Sequence, residues 1–313
     1  MNQKEKELAL SYELNAIRRT AGSAPLLLLQ EFNETNYPNQ KQLEFMVRTA
    51  HSYSDILILP LVSRITDKLD AGDGFSRYLD FLEVVLDTID TYNKKPLMGV
   101  IPMKIPFIRI EDLVRFYCGR GIRAFCLDFA GSKPDTARQS VEQVSFSLAK
   151  ENVLNESFVH AINVSPGRPR VATPVSPCHS ILAYGYGADS FGDLHRTRMR
   201  IETPPIPHRP TPVRLFSRDD YGDHQINAES DLKRMEPDKT GISLRKCVRN
   251  KQLTKLFNAE QHSIEASVLP TFIDAGRDQP GLTQYLSGKA YVKKTQLKRM
   301  RGLRSNLKQS RLS

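Results

Sequence analysis

Polar side chains that can bind or transform a substrate follow several short apolar runs in this sequence. Such runs, rich in β-branched residues and bounded by turn residues, are typical of buried strands. In a barrel of alternating strands and helices, chemistry takes place at the carboxyl ends of the strands. The polar residues at these predicted strand ends are Gln30, Glu31, Asn33, Ser63, Arg64, Asp128, Asn163, Ser165, Asp189, Asp193 and His195.

The apolar runs alternate with amphipathic stretches in which apolar residues recur on one helical face. The four later strands are predicted to begin at residues 97, 124, 158 and 188, which are 27, 34 and 30 residues apart. This spacing fits one strand plus its crossover helix and indicates a parallel sheet covered by helices. No Gly-x-Gly-x-x-Gly motif follows a strand, which argues against a dinucleotide-binding sheet. The predicted strands are 26–30, 55–60, 97–102, 124–129, 158–164 and 188–191.

These patterns predict an α/β protein with a (β/α)8 TIM-barrel-like fold, a helical C-terminal region and a basic tail. The barrel is expected over residues 25–288, after an N-terminal helical segment at 1–24 and before the tail at 289–313. Helical patterns occupy 232–257 and 262–275, and the second is expected to end at Gly276. The DAGDG sequence at 70–74 lacks the further ligands of a calcium loop and is expected to form the turn at a helix start.

The net charge of +10 is concentrated at one end of the chain. Residues 289–313 contain nine basic residues and no acidic one, whereas the remainder has 36 basic residues against 35 acidic ones. Apolar residues spaced among the cations predict a basic amphipathic helix that contacts phosphates without regard to sequence. A disordered solubilising tail is the alternative. The predicted nucleic-acid-binding residues of this tail are Lys293, Lys294, Lys298, Arg299 and Arg301.

A second cationic segment, residues 195–214, contains five prolines and five arginines. Proline excludes both a helix and an inner strand, so a long loop is expected. Its residues Arg196, Arg198 and Arg200 are candidates for phosphate binding. The alternative is a solvated connection with ordinary surface charge.

The four cysteines contain no close pair that would indicate a disulfide framework, and a reducing, cytoplasmic setting is expected. Cys178 and His179 are adjacent, but neighbouring side chains seldom face each other, so a nucleophilic pair is not expected. No apolar run approaches the roughly 20 residues that a membrane span needs, so no membrane partner is predicted.

From about Leu97 to Leu286 the chain resembles the tRNA-guanine transglycosylase superfamily, the queuine and archaeosine tRNA-ribosyltransferases. The resemblance lies in the order and spacing of several local segments rather than in any single motif. These segments are MGVIP (98–102), GIRAFCLDFAG (121–131), SFVHAINVSPGRP (157–169), ILAYGYGADSFGD (181–193), SRDDYG (217–222) and HSIEASVLPTFIDAG (262–276).

The resemblance implies a base-exchange enzyme. In the family an aspartate attacks the ribose anomeric carbon, guanine leaves, and a 7-deazaguanine of the preQ0 type enters from the same face. A carboxylate suits this covalent step, and a second acid must handle protons on the two bases. The target nucleotide must leave its stack to reach such a site. The resemblance suggests Asp128, Asn163 and Gly187 as the residues that bind substrate. The alternative for Asp128 is an ion pair with an arginine in the barrel.

The chain departs from the family at the nucleophile. The family pattern Gly-Val-Asp-x-Phe-Asp aligns with GADSFGD (187–193), so that Gly192 occupies the nucleophile position. A small bulge could present Asp193 instead, with Asp189 as the second candidate; alternatively Asp193 caps a turn and Asp189 orients the loop. Glu31 is the acid nearest the expected position of the second catalytic group.

The family's structural zinc site is also incomplete. Its Cys-x-Cys-x-x-Cys cluster is missing, and only Cys247 and His262 remain near the expected places. Two ligands do not make a tetrahedral site, so neither zinc nor another cofactor is predicted.

The first hypothesis is therefore a nucleic-acid guanine transglycosylase acting on DNA or tRNA. The compact chain without a zinc cluster resembles the phage and genomic-island branch that acts on DNA. The second hypothesis is a non-catalytic nucleic-acid-binding paralogue or accessory subunit, and the third is an unrelated barrel enzyme acting on a small metabolite. A homodimer or a partner subunit is compatible with each of them.

Overall fold

The computed structural model describes residues 3–69, 73–165, 173–193, 213–226, 231–232, 242–273 and 281–310. The chain divides into two compact units. The first unit comprises Met1–Asp128 and Phe146–Val159, and the second comprises Phe129–Ser145 and His160–Ser313.

Six strands form a parallel sheet in the order β1-β2-β3-β4-β5-β7. Strands β1 to β4 lie in the first unit and β7 in the second, while β5 begins in the first unit and continues into the second. The prediction of an α/β fold with a parallel sheet is therefore confirmed. The strands are β1 Leu27–Leu28, β2 Ile56–Ile58, β3 Leu97–Pro102, β4 Ala124–Asp128, β5 Phe158–Val164 and β7 Ser190–Asp193.

Helices alternate with the strands of the first unit, as the apolar periodicity predicts. Their buried faces include Leu82 and Val85 of α4 and Leu113 and Val114 of α5, all of which are fully enclosed. Helix α4 begins directly after Asp73, and residues 70–72 of the predicted turn lie outside the described part of the chain. Helix α6, Arg138–Lys150, begins in the second unit and ends in the first, and a short 3-10 helix follows at Leu154–Glu156. The α-helices that begin in the first unit are α1 Gln3–Ala21, α2 Gln40–Tyr53, α3 Ser63–Thr66, α4 Gly74–Asp90 and α5 Phe107–Gly119.

The contact between β3 and α5 shows how closely this layer is packed. A Cβ atom added to Gly99 would lie 2.8 Å from the ring of Tyr117. The Tyr117 hydroxyl donates a hydrogen bond of 2.9 Å to the Val100 carbonyl. Glycine is needed at position 99 because a fully buried tyrosine of the covering helix lies directly against the strand.

The second unit contains a second sheet that the sequence did not predict. Its three strands are antiparallel and lie in the order β6-β9-β8, where β6 is Val175–Pro177, β8 is Val213–Ser217 and β9 is Gly222–Ile226. The prediction of a loop over 195–214 is wrong at its last two residues, because Val213 and Arg214 begin β8. Proline restricts only the neighbouring positions, and an edge strand can start directly after it.

Helices complete the second unit. A 3-10 helix covers Ser180–Tyr186, and the α-helices are α7 Leu244–Arg249, α8 Lys251–Ile273, α9 Leu282–Ser287 and α10 Lys294–Ser310. Helices were predicted over 232–257 and 262–275, but the described residues form α7 and the longer α8, which meet at Asn250. Residues 233–241 of the first prediction, and the predicted end of the second at Gly276, lie outside the described residues. Pro270 lies inside α8. No helix in the described part of the chain combines the length and apolarity that crossing a membrane requires.

Helix α10 is folded onto the rest of the second unit. Leu297, Met300 and Leu303 are buried, and a Cβ atom on Gly185 would lie 2.6 Å from the end of the Met300 side chain. The alternative of a disordered tail is therefore wrong for this helix, because its apolar stripe has a packing partner.

Candidate functional site at the strand ends and helix α10

Strands β5 and β7 bring two of the predicted residues to the same strand end in the second unit. Val164, the last residue of β5, pairs with Asp193, the last residue of β7. Asn163 is therefore one residue from the position opposite Asp193. The side chain of Asp193 is outside the described part of the structure.

A register shift accompanies this pairing. Ala161 pairs with Phe191 and Val164 with Asp193, so three steps along β5 match two along β7. The extra residue lies in β5, and not beside Asp193 in β7 as predicted. Asn163 has a left-handed backbone with φ of 53° and is buried. A left-handed Asn is tolerated at such a bulge because its short polar side chain can hydrogen-bond locally.

The loop after β4 is held against this bulge by backbone hydrogen bonds. The Gly131 amide donates to the Asn163 carbonyl at 2.8 Å, and the Ser165 amide donates to the Ser132 carbonyl at 2.9 Å. Ala130 and Gly131 also have left-handed backbones. Two non-glycine residues in a sparsely populated conformation, Ala130 and Asn163, are thus fixed at one strand end, and such backbone is often found at functional sites.

The remaining predicted residues of this strand pair have other positions. Gly187 has φ of 98° and ends the 3-10 helix Ser180–Tyr186, so it makes the reversal into β7. Asp189 is exposed and precedes β7, at the amino end of the strand. Four residues of extended chain separate it from Asp193, or roughly 13 Å. Asp189 is therefore not at the strand end that carries Asp193.

Two predicted residues belong to the first unit. The Ser63 hydroxyl donates a hydrogen bond of 2.6 Å to Glu31, just beyond the parallel bridge between Glu31 and Leu61. Asp128 ends β4 and is buried, and its backbone carbonyl accepts a hydrogen bond from the Met103 amide. Glu31 thus follows β1 and Asp128 is the last residue of β4, so both carboxylates lie at strand ends, as the sequence predicts.

The cations of helix α10 divide into two groups. Lys294, Lys298 and Arg301 are exposed and recur at intervals of four and three residues, so they form one face of the helix. We call these three residues the cationic face. Arg299 instead donates a hydrogen bond of 2.5 Å to Asp135, which places its charge in an ion pair within the second unit. Lys293 is exposed immediately before the helix.

Arg196, Arg198 and Arg200 lie outside the described residues, as does His195. Their predicted contacts with phosphate therefore stay predictions.

The two residues expected to remain from the zinc site have separate surroundings. Cys247 is buried in an apolar cluster with Phe257 and Leu215. His262 lies near Cys178, with Nε2 and Sγ 3.8 Å apart, and packs edge-on against Phe216. Among the described residues no group of three or more potential metal ligands is found. The chemistry of these side chains does not fit the family's structural zinc.

A buried carboxylate that the sequence analysis did not single out lies on α8. Glu265 Oε1 accepts hydrogen bonds from Tyr221 at 2.5 Å and from Tyr285 at 2.6 Å. The ammonium group of Lys289 lies over both phenol rings and donates to the Arg218 carbonyl. Burial lowers the pKa of Lys289, although Glu265 partly offsets this effect. No sequence spacing connects these residues, since three different segments supply them.

No family model matches this sequence. No curated protein matches it either. Among solved structures, octameric ribulose-1,5-bisphosphate carboxylase/oxygenase (Rubisco) from Pyrococcus horikoshii OT3 is similar with 14% identity and a TM-score of 0.31, over 48% of this chain and 33% of that one. DHODH in complex with ferulenol from Eimeria tenella is similar with 11% identity and a TM-score of 0.38, over 57% of this chain and 56% of that one. The chain thus spans about a third to just over half of the length of these proteins.

Proposed function

We propose that this protein is a nucleic-acid guanine transglycosylase that exchanges guanine for a 7-deazaguanine base in DNA or tRNA on a (β/α)8 barrel. The observation that carries the proposal is the cationic face of α10, which belongs to the same unit as the strand end bearing Asp193. Lys294, Lys298 and Arg301 supply phosphate contacts that do not depend on base sequence. Asp193 is the proposed source of the carboxylate, and its backbone pairs with Val164, the residue after the irregular Asn163.

In the proposed reaction the Asp193 carboxylate attacks the ribose anomeric carbon. A carbon–oxygen bond forms, the bond from that carbon to guanine N9 breaks, and guanine leaves with a proton supplied by a general acid. The incoming base loses its N9 proton and attacks the same carbon, which releases the carboxylate. Two displacements retain the configuration, as in retaining glycosidases.

The reaction is tested by incubating the full chain with tRNA or with double-stranded DNA containing labelled guanine, together with unlabelled preQ0. Release of label is expected from wild type and not from Asp193→Asn. The matched control is Asp189→Asn, which removes a carboxylate at the other end of the same strand and is expected to retain activity. Release of label by Asp193→Asn at the wild-type rate would contradict the assigned nucleophile.

Binding is tested separately by the salt dependence of affinity. Replacing Lys294, Lys298 and Arg301 together by Gln should reduce the slope of log affinity against log salt by about 2 to 3. The control replaces Lys41, Lys68 and Lys94, three exposed lysines of the first unit, and changes net charge equally. Equal slopes for the two triple variants would contradict a binding role for α10.

A non-catalytic nucleic-acid-binding protein is the second candidate, and the position of Gly192 favours it. Gly192 lies within β7, and the extra residue of the strand pair belongs to β5. The strand therefore carries no acid at the position that aligns with the family's nucleophile. Binding with a normal salt slope but no release of label from wild type would support this candidate.

A further inference from the structure

A cleft in the first unit lies among the loops that follow strands β1 and β2. Its volume is about 360 Å³, which is within the range of small-molecule binding sites. Because β1 and β2 are parallel, the loops that follow them leave the sheet at the same edge. This edge, at the carboxyl ends of the strands, is where parallel α/β folds bind their ligands. The lining of the cleft includes Tyr37, Ile65, Lys68, Leu69, Gly74 and Arg77.

The lining of this cleft is positively charged. Lys68 and Arg77 contribute two cations, and none of the described lining residues is acidic. The Lys68 ammonium is exposed and makes no hydrogen bond or ion pair with a described residue, while Asp67 beside it pairs with Lys104. Arg77 forms an ion pair of 3.1 Å with Asp73, but both side chains are mostly exposed and such a pair contributes little. The cleft therefore attracts an anionic ligand.

The Tyr37 hydroxyl and the amino end of helix α4 add uncharged hydrogen-bond donors. Burial raises the pKa of Tyr37 to about 12, so the phenol keeps its proton near neutral pH and can donate. This hydroxyl has no hydrogen-bond partner in the described part of the chain. Helix α4 begins at Gly74 in the lining, and its N-cap residue Asp73 makes no side-chain capping hydrogen bond. The first amides of this helix can therefore donate to an anion.

Hydrogen bonds and close packing fix the segments that carry these groups. Arg64 Nε donates to Asn33 Oδ1 at 2.9 Å, which joins helix α3 to the loop after β1. The Lys68 amide donates to the Ile65 carbonyl at 3.0 Å. A Cβ atom on Gly74 would lie 3.3 Å from the Lys68 carbonyl oxygen, so the backbone of Lys68 is in close contact with the amino end of α4. The donors of the cleft are thus held in place before a ligand binds.

We propose that this cleft is a binding site for the phosphate group of an organic ligand such as a nucleotide. Lys68, Arg77 and the amino end of α4 donate to separate oxygens of the phosphate, and such bonds are strong because the acceptor is ionised. Ile65, Leu69 and the ring of Tyr37 supply apolar contacts for the body that carries the phosphate. A free nucleotide and a nucleic-acid strand present this same phosphate chemistry, and competition experiments distinguish them.

This inference goes beyond the proposed function. The lining residues of the cleft belong to the first unit, whereas Asp193 and the cationic face belong to the second. The sequence did not indicate Tyr37, Lys68 or Arg77 as binding residues, because no motif or periodicity connects their three segments.

The first experiment measures the binding of radiolabelled inorganic phosphate to the full chain by equilibrium dialysis. Saturable binding is expected, and acetate at equal ionic strength should not displace the label, because acetate has fewer oxygens for the donors and a lower charge. Absence of saturable binding, or displacement by acetate as effective as that by unlabelled phosphate, would overturn the site.

Substitution of Lys68 and Tyr37 tests which donors form the site. Lys68→Gln should weaken phosphate binding about tenfold, the loss expected for one hydrogen bond between charged groups. Tyr37→Phe should weaken it about threefold, because an uncharged donor is removed and the ring is kept. The matched control is Lys94→Gln, which removes an exposed lysine of the same unit that does not line the cleft. Equal affinities of Lys68→Gln and Lys94→Gln would refute the assignment.

The ion pair between Arg77 and Asp73 offers a second matched test. Arg77→Gln removes a cation of the cleft and should weaken phosphate binding about tenfold. Asp73→Asn breaks the same ion pair without removing a cation, so the affinity should stay the same or increase. A similar loss of affinity in both variants would contradict a direct contact between Arg77 and the phosphate.

Competition then identifies the source of the phosphate. Displacement of the label by guanosine monophosphate alone would assign a free nucleotide, and displacement by a single-stranded oligonucleotide without terminal phosphates would assign the nucleic-acid backbone. If neither competes, the cleft does not accept an organic phosphate and the proposal is overturned. These measurements require no base exchange, so a wild-type chain that binds phosphate at Lys68 but never exchanges guanine would contradict the proposed function alone.

Discussion

Some buried polar groups of the two units are satisfied in different ways. In the first unit, buried Thr66 and Thr88 donate to backbone carbonyls three and four residues earlier in the chain. In the second unit, buried Glu265 binds Tyr221 and Tyr285, which are 44 and 20 residues away. Local bonds of the first kind satisfy a hydroxyl without fixing the tertiary structure. Bonds of the second kind define which segments meet, and breaking them costs more stability because a buried polar group is left unpaired.

The backbone shows the same contrast. Among the described residues, left-handed non-glycine positions in the second unit are Ala130, Asn163 and Tyr221, whereas the first unit has Asn152. The first unit also follows the predicted strand–helix alternation closely. The comparison indicates that departures from regular structure concentrate in the unit that carries Asp193 and the cationic face, in line with the tendency of functional sites to break local rules.

The largest effect is expected from removing the carboxylate that joins three segments of the second unit. Glu265→Ala should destabilise the protein by about 3 kcal/mol, since the buried Tyr221 hydroxyl and the half-buried Tyr285 hydroxyl both lose their acceptor. Urea denaturation measures the change. The control is Glu111→Gln in the first unit, which breaks partly exposed ion pairs with Arg115 and Lys150 and should cost less than about 1 kcal/mol. A similar loss of stability in both variants would contradict the difference between the long-range bonds of Glu265 and the ion pairs of Glu111.

A smaller effect is expected from close packing at two glycines. Gly99→Ala in the first unit should cost about 2 kcal/mol, because its Cβ would meet the rigid ring of Tyr117. Gly185→Ala in the second unit should cost less, although the contact is nominally shorter, because the end of the flexible Met300 side chain can move aside. Thermal unfolding of the two variants compares them directly, and a larger loss for Gly185→Ala would show that helix α10 is packed as rigidly as the first unit.

The effect that is smallest near neutral pH concerns the protonation of His179. The pKa of His179 is about 4 in the folded protein, below the ordinary value of 6.5. Between these two values the unfolded chain binds a proton that the folded protein does not, so this group makes stability fall as pH decreases from about 6.5 to about 4. His179→Gln should flatten the stability profile in that window relative to wild type. Superimposable profiles from chemical denaturation would contradict the depressed pKa.

The strands of the parallel sheet were the most predictable part of the molecule, although β7 lies two residues later than predicted. The bounds of β3 and β5 agree with the sequence prediction, because a short continuous apolar run bounded by turn residues is typical of a buried strand. The antiparallel sheet was missed, since β9 is the polar sequence GDHQI and carries no apolar alternation. The bulge was expected on β7 and lies on β5, because register depends on both strands and cannot be read from one.

The candidate site was predictable only in part, for a similar reason. The sequence alone places Asp193 after a strand and collects the cations of residues 293–301 on a helix, since both follow from periodicity and charge. It does not distinguish Arg299, which pairs with Asp135, from the exposed Lys298 beside it.

Sequence periodicity thus determined the α/β class, the parallel strands and the amphipathic character of α10, because each depends on the spacing of apolar residues within one segment. Tertiary structure alone decided that Asp135 meets Tyr186 and Arg299 and that Glu265 meets Tyr221 and Tyr285. These groupings depend on long-range packing, in which residues far apart in the chain are brought together by the burial of other side chains.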